Sequence, residues 1–130
     1  MATRETFNSG AKWEPIVGYA RAIRLGDLIE VSGTVSVDEK GNPVEVGDAY
    51  GQAVHILSLI QHAIEELGGS LSDVVRTRIY VTDIAQWESI GRAHGEYFRL
   101  IRPVTTMVQV SKLLAPEYLV EIEATAIVGD

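Results

Sequence analysis

Close to its carboxyl end the chain carries two glutamates, Glu121 and Glu123, inside the run VEIEATAIV. Val120, Ile122, Ala124, Ala126 and Val128 alternate there with Leu119, Glu121, Glu123, Thr125 and Ile127. A two-residue period in a β-branched run predicts a half-buried strand, with both carboxylates on the face turned away from the apolar side. Carboxylates so placed can hold or deprotonate a water molecule beside an electrophilic carbon. They can equally pair with cations across the sheet and fix register, and Arg76 and Arg78 are the cations at hand. For Glu121 both readings stand; Glu123 is assigned to the pairing. Other chemistry is sparse. His55 and His62 share one predicted helix but lie about 10 Å apart along its axis at ~1.5 Å per residue, too far to share a metal. His94 stands alone. The sequence contains no phosphate loop, Ser/His/Asp set or zinc spacing. The cysteine count of 0 excludes thiol catalysis, disulfide frameworks and thiolate metal sites.

Several elements must position these groups. The run Val104 to Val110 also alternates, with Val104, Thr106, Val108 and Val110 on one parity and Thr105, Met107 and Gln109 on the other. Residues 1–15 carry few apolar positions and read as an edge segment plus loop. Tyr19 to Leu25 and Leu28 to Val35 form a hairpin about the Gly26-Asp27 turn. In its second arm Ile29, Val31, Gly33 and Val35 share one face, and Leu28, Glu30, Ser32 and Thr34 the other. Asp48 is the N-cap of a helix to Leu67, stopped by Gly68-Gly69. Asp73 to Thr82 is a strand, with Val75, Thr77, Ile79 and Val81 facing one way and Val74, Arg76, Arg78 and Tyr80 the other. A second helix runs from a cap at Thr82 or Asp83 to Leu100, burying Ile84, Trp87, Ile90, Ala93, Tyr97 and Phe98, and Arg102-Pro103 breaks it. The order ββαβαββ predicts an α+β fold, a mixed sheet with two helices covering one face. The uncovered parity carries Glu30, Ser32, Arg76, Arg78, Tyr80, Thr105, Met107, Gln109, Leu119, Glu121 and Glu123. That mixture of apolar and charged side chains suits a subunit interface with polar clefts at its rim.

Composition narrows the classes further. A chain of 130 residues reads as a single domain, residues 1–130, able to bury a core unaided. No apolar run approaches the ~20 residues needed to span a bilayer, and the N-terminus MATRETFNSG has no signal-peptide core. A formal charge of -7 argues against nucleic-acid binding. The expectation is an acidic, cytoplasmic protein with no membrane partner.

At this point four segments carry a resemblance: Gly18-Tyr19-Ala20-Arg21, Val31-Ser32-Gly33-Thr34, Arg102-Pro103 and Val120-Glu121-Ile122-Glu123-Ala124. Together they resemble the RidA/YjgF family from about Gly18 to Val128. The resemblance implies a chorismate-mutase-like α+β fold assembled as a homotrimer, with small-molecule sites in the clefts between copies. It implies hydrolysis of reactive enamines and imines to carbonyl compounds and ammonia, with no cofactor and no metal. Carried over, the glutamate linked to the attacking water is Glu121, and Tyr19, Ser32 and Gly33 line the pocket. Well-studied members place a carboxylate-gripping arginine two residues after the proline; here that residue is Thr105, and Met107 stands where many members have a small residue. Threonine supplies neither the charge nor the fork of a guanidinium. Arg21, beside Tyr19, and Arg102, before Pro103, are the candidates to replace it. Two functions follow: an imine hydrolase for a carbonyl-derived ligand, or a non-catalytic binding or chaperone-like protein that kept the trimer. A nuclease, a name attached to some relatives, fits the acidic balance least.

Overall fold

The computed structural model describes residues 3–129. Six strands form one sheet: β1 (Arg4–Phe7), β2 (Ala22–Leu25), β3 (Leu28–Thr34), β4 (Val74–Val81), β5 (Val104–Gln109) and β6 (Val120–Ile127). Two helices, α1 (Ala49–Glu66) and α2 (Trp87–Phe98), complete the fold. The sheet order is β1-β2-β3-β6-β4-β5, antiparallel throughout except that β5 runs parallel to β4. A parallel neighbour needs a crossover, and α2 provides it. The α+β architecture expected from the element order is the one observed, and the N-terminal edge segment is β1.

Helix α1 begins where Asp48 accepts a hydrogen bond from the Gly51 N–H, 2.9 Å away. It ends at Gly68, whose φ of 85° is open to glycine, with the Gly69 N–H closing on the Ile64 carbonyl. Its stripe of Ala53, Ile56, Leu57, Ile60, Ala63 and Ile64 is buried on the sheet, where it meets Ile29, Ile79, Val81, Val120 and Ile122. Every alternate residue of β6 from Val120 to Ala126 is buried, so the period-two reading of that strand holds. Glu121 and Glu123 therefore face away from the helices.

Three expectations need correction. Two β-bulges break the assumed alternation. Val31 pairs with Ala124 and Thr34 with Ile122, so Ser32 and Gly33 together oppose Glu123. From there Thr34, not Gly33, points into the core. In β4, Val74 pairs with Ala126 and Arg76 with Thr125, which turns Val74 inward and leaves Val75 exposed. The edge strand β5 is also phased opposite to expectation. Thr105 aligns with buried Thr77 and Met107 with buried Ile79, on the helix side. Val104 and Val108 instead face the uncovered side, 57% and 42% exposed. Lastly, Asp83 caps only a short 3-10 turn, Ile84–Gln86, and α2 proper starts at Trp87. Ile84 and Trp87 stay exposed, while Ile90, Ala93 and Phe98 are buried. The helix stops at Phe98 because the Arg102 N–H turns back onto the Phe98 carbonyl in a left-handed conformation (φ 59°).

Candidate functional site

The β3 bulge builds the site. Placing Ser32 and Gly33 opposite one residue brings the Gly33 backbone under the Glu121 side chain. A Cβ added to Gly33 would lie inside van der Waals distance of Glu121 Oε2 and 3.1 Å from its Cδ. Glycine is thus what lets the carboxylate rest there. Burial pushes the Glu121 carboxyl above its ordinary pKa; the Arg21 charge pulls it down and the Glu123 charge pushes it up. No hydrogen bond from a described residue contributes to that balance. A half-buried carboxylate that accepts no hydrogen bond from the described residues can bind water or ligand.

Glu123 has the opposite fate. It accepts a hydrogen bond from the Tyr80 hydroxyl at 2.8 Å and lies 3.8 Å from Arg78 Nε. The pairing expected of Glu123 is present, and Glu121 pairs with neither Arg76 nor Arg78.

Tyr19 follows a single π turn, Glu14–Gly18, closed by its own N–H on the Glu14 carbonyl at 3.0 Å. Arg21 Nη2 donates to the Tyr19 hydroxyl at 3.3 Å, and Nη1 donates to the Gly33 carbonyl at 2.6 Å. The Ser32 hydroxyl donates to the Ala20 carbonyl at 2.8 Å. Tyr19, Ala20 and Ser32 line an open cavity of about 420 Å³ on the uncovered sheet face, with Glu30, Arg78 and Glu123 across it. Glu121 is not part of this lining; it reaches the cluster through Gly33, next to Ser32 in the bulge. Tyr19, Arg21, Ser32, Gly33 and Glu121 thus come together in one copy of the chain.

Arg102, Thr105 and Met107 do not join them. Arg102 is exposed at the end of α2, and Met107 packs partly on the core. Thr105 Oγ1 lies 2.8 Å from Thr77 Oγ1, which lies 2.8 Å from His94 Nε2. Burial holds the His94 ring below its ordinary pKa, so this hydroxyl–imidazole cluster is neutral at neutral pH. His55 is spent on the Val37 carbonyl, and His62 packs edge-on against Phe7. Among the described residues no group of three or more metal-ligating side chains converges, and no helix is long and apolar enough to cross a membrane.

A family model described as Endoribonuclease L-PSP matches residues 10–128. The chain belongs to this family. A 3-aminoacrylate deaminase RutC from Acinetobacter baylyi is 38% identical over 112 residues, 86% of this chain and 88% of that one. A RutC family protein from Pyrococcus abyssi is 33% identical over 126 residues, covering 97% and 98% of the two chains. Among solved structures, a Mycobacterium tuberculosis member of the YjgF/YER057c/UK114 family superposes with a TM-score of 0.89 at 45% identity, covering 97% of this chain and all 100% of its own. The YjgF gene product of Escherichia coli gives a TM-score of 0.82 at 26% identity, over 95% and 98% of the two chains. The resemblance to the RidA/YjgF family read from the sequence is borne out, and with it the family fold.

Sequence reasoning missed Glu14, Gln52 and Tyr118. Glu14 is buried against Arg21. Buried Gln52 ties α1 to the segment entering β6, donating to the Glu117 carbonyl and accepting from the Leu119 N–H. Tyr118 is buried near Glu121, whose charge helps raise its pKa after burial and the Glu117 charge. A polar residue between Trp13 and Pro15, or within an apolar helix stripe, carries no periodic signal of its role.

Proposed function

We propose that the protein hydrolyses a small enamine or imine to a carbonyl compound and ammonia, in clefts between the copies of a cytoplasmic homotrimer, with Glu121 holding the attacking water. The observation that carries this reading is the Glu121 carboxylate: half-buried, without a hydrogen-bond donor among the described residues, and seated over a glycine. An enamine first moves an N–H proton to its β-carbon and becomes the imine; water bound at Glu121 then adds its oxygen to the C=N carbon as the π electrons move to nitrogen. Glu121 takes one water proton and returns it to that nitrogen, giving a carbinolamine. The hydroxyl proton then passes to nitrogen, the C–N bond breaks, and ammonia leaves behind a carbonyl. No electron donor or acceptor enters this balance, and general-base help of ~10²–10⁴-fold suffices for an already electrophilic carbon. The relative named 3-aminoacrylate deaminase supports the substrate class. Exposed Val104 and Val108 on the uncovered sheet face support a covering second copy.

One observation favours the binding-only reading. Thr105 is engaged with Thr77 and offers no cation to a substrate carboxylate. The test is to supply 2-iminopropanoate or 3-aminoacrylate generated in situ and to follow ammonia and the oxo acid. Wild type accelerates release, and Glu121→Gln loses about 100-fold or more. Wild type indistinguishable from buffer on both compounds would leave only the binding role. Activity created from nothing by Thr105→Arg would mean that the native site serves a ligand other than a 2-imino acid.

A further inference from the structure

We infer that Glu14 and Arg21 are a positioning pair for this site, aiming the Tyr19 hydroxyl at the ligand as a hydrogen-bond donor and holding Glu121 in its water-binding place. The inference rests on the reading of Glu121 given above.

The geometry begins with a buried anchor. Glu14 is 5% exposed, and its carboxylate accepts from the Ser9 N–H at 3.2 Å and from the Ser9 hydroxyl. Arg21 Nε, on a side chain 12% exposed, lies 3.5 Å from Glu14 Oε2. The rest of the guanidinium fans out. Nη1 donates to the Gly33 carbonyl at 2.6 Å and to Thr34 Oγ1 at 3.1 Å, and Nη2 donates to the Tyr19 hydroxyl. Of the five or so N–H donors of an arginine, only one on Nη2 remains without a described partner, so Arg21 cannot grip a ligand carboxylate through two parallel bonds.

Two consequences follow for the site. The Tyr19 oxygen accepts from Arg21, so its own O–H points away from the guanidinium and is available to a ligand acceptor. An imine nitrogen or a carbonyl oxygen is the matching group. Arg21 also fixes the Gly33 peptide on which the Glu121 carboxylate rests. Its charge opposes the burial and the Glu123 charge that disfavour ionisation of Glu121. The other titratable groups facing Glu121 are Tyr80, its partner on β4, and Tyr118 ahead of β6, with Glu117 acting on Tyr118. Both tyrosines are held above their ordinary pKa and stay neutral. In this set Arg21 alone favours the ionised Glu121.

The test reads Glu121 directly, by carbon NMR titration of side-chain carboxyls assigned with Glu121→Gln. Its midpoint rises in Arg21→Gln and returns towards wild type in Arg21→Lys, which restores charge without the fork. Should Arg21→Gln fail to fold, the double variant Glu14→Gln/Arg21→Gln removes both buried charges together, and the midpoint rises there too. An unchanged midpoint in the folded variants overturns the inference. Where turnover is measured, the acid limb of kcat follows the same shifts, and Arg21→Lys lowers kcat about tenfold because Tyr19 is no longer held. An unchanged kcat in Arg21→Lys overturns the Tyr19 part. Midpoint shifts in the variants, combined with a wild type that turns over neither 2-iminopropanoate nor 3-aminoacrylate, refute the proposed reaction and leave the pair standing.

Discussion

Gly33→Ala is the sharpest perturbation of the site. Gly33 is not in the left-handed region, so alanine fits its backbone. The new Cβ would press on Glu121 Oε2, stand 3.1 Å from Cδ and 3.4 Å from Cγ, and meet no backbone atom among its three nearest neighbours. The carboxylate therefore moves and the strand does not. Twisting Glu121 off its rotamer costs about 0.5–1.5 kcal/mol. Alanine in place of glycine within a strand gains about 0.5–1 kcal/mol. The two nearly cancel, so Tm moves by only a few degrees, at about 3–5 °C per kcal/mol for a chain of this size. Activity has no such compensation: displacing a catalytic group by about 1 Å can cost 10²-fold. The expected result is a folded variant with kcat/KM on an imine reduced about 100-fold. Shortening the acid in Gly33→Ala/Glu121→Asp relieves the pressure, giving a stability coupling of about 0.5 kcal/mol or more in a double-mutant cycle. Wild-type turnover in Gly33→Ala, or strictly additive stabilities, would refute the claim that glycine makes room for the carboxylate.

Glu121→Gln raises Tm at neutral pH. A carboxyl with a raised folded pKa contributes stability below its ordinary value of 4.5 and loses it as pH climbs through the folded value, so the gap to wild type closes on acidification; a constant gap in melts across that range would contradict the burial argument. Thr77→Val removes the buried hydroxyl that joins Thr105 to His94, and chemical denaturation should read a loss of about 1–3 kcal/mol. Val108→Glu places a charge on the uncovered face of β5, and light scattering on a size-exclusion column should find smaller assemblies with an unchanged circular dichroism spectrum.

The elements themselves were legible because each rests on a local signal. Asp48 and Gly68-Gly69 bracket α1 by capping chemistry, and the alternation of β6 fixes which way Glu121 points, since one of its faces is fully apolar. What parity counting could not see is the bulge, an extra residue that costs the sequence no change of composition. At Ser32-Gly33 and again at Val75 the count of two slips by one, and the side chains beyond exchange faces. The edge strand β5 was misphased for a related reason. Both of its parities carry apolar and hydroxyl side chains, so periodicity cannot say which side meets the helices. The site was half legible: Tyr19, Ser32, Gly33 and Glu121, named from a resemblance, lie together with Arg21, which was read as a candidate substitute for the absent arginine and instead spends its donors on Glu14, Tyr19, Gly33 and Thr34. Glu14 was silent because nothing about an acid beside a proline announces a buried partner seven residues on.

The misphasing of β5 also bears on how a cleft can be built. Thr105 points to the helix side and Glu121 to the uncovered side, with β4 between their strands. At about 4.8 Å per strand step, β5 and β6 lie about 10 Å apart before the thickness of the sheet is added. A ligand of a few carbons cannot reach both groups of one copy. If residues of the Thr105 side take part in binding at all, they do so in a neighbouring copy, with the exposed valines of one face packed where two copies meet. Loss of assembly in Val108→Glu should then remove turnover while Glu121, Gly33 and the Arg21 fork stay in place. Full turnover by a dispersed Val108→Glu variant would mean that Tyr19, Arg21 and Glu121 of a single copy already make a complete site.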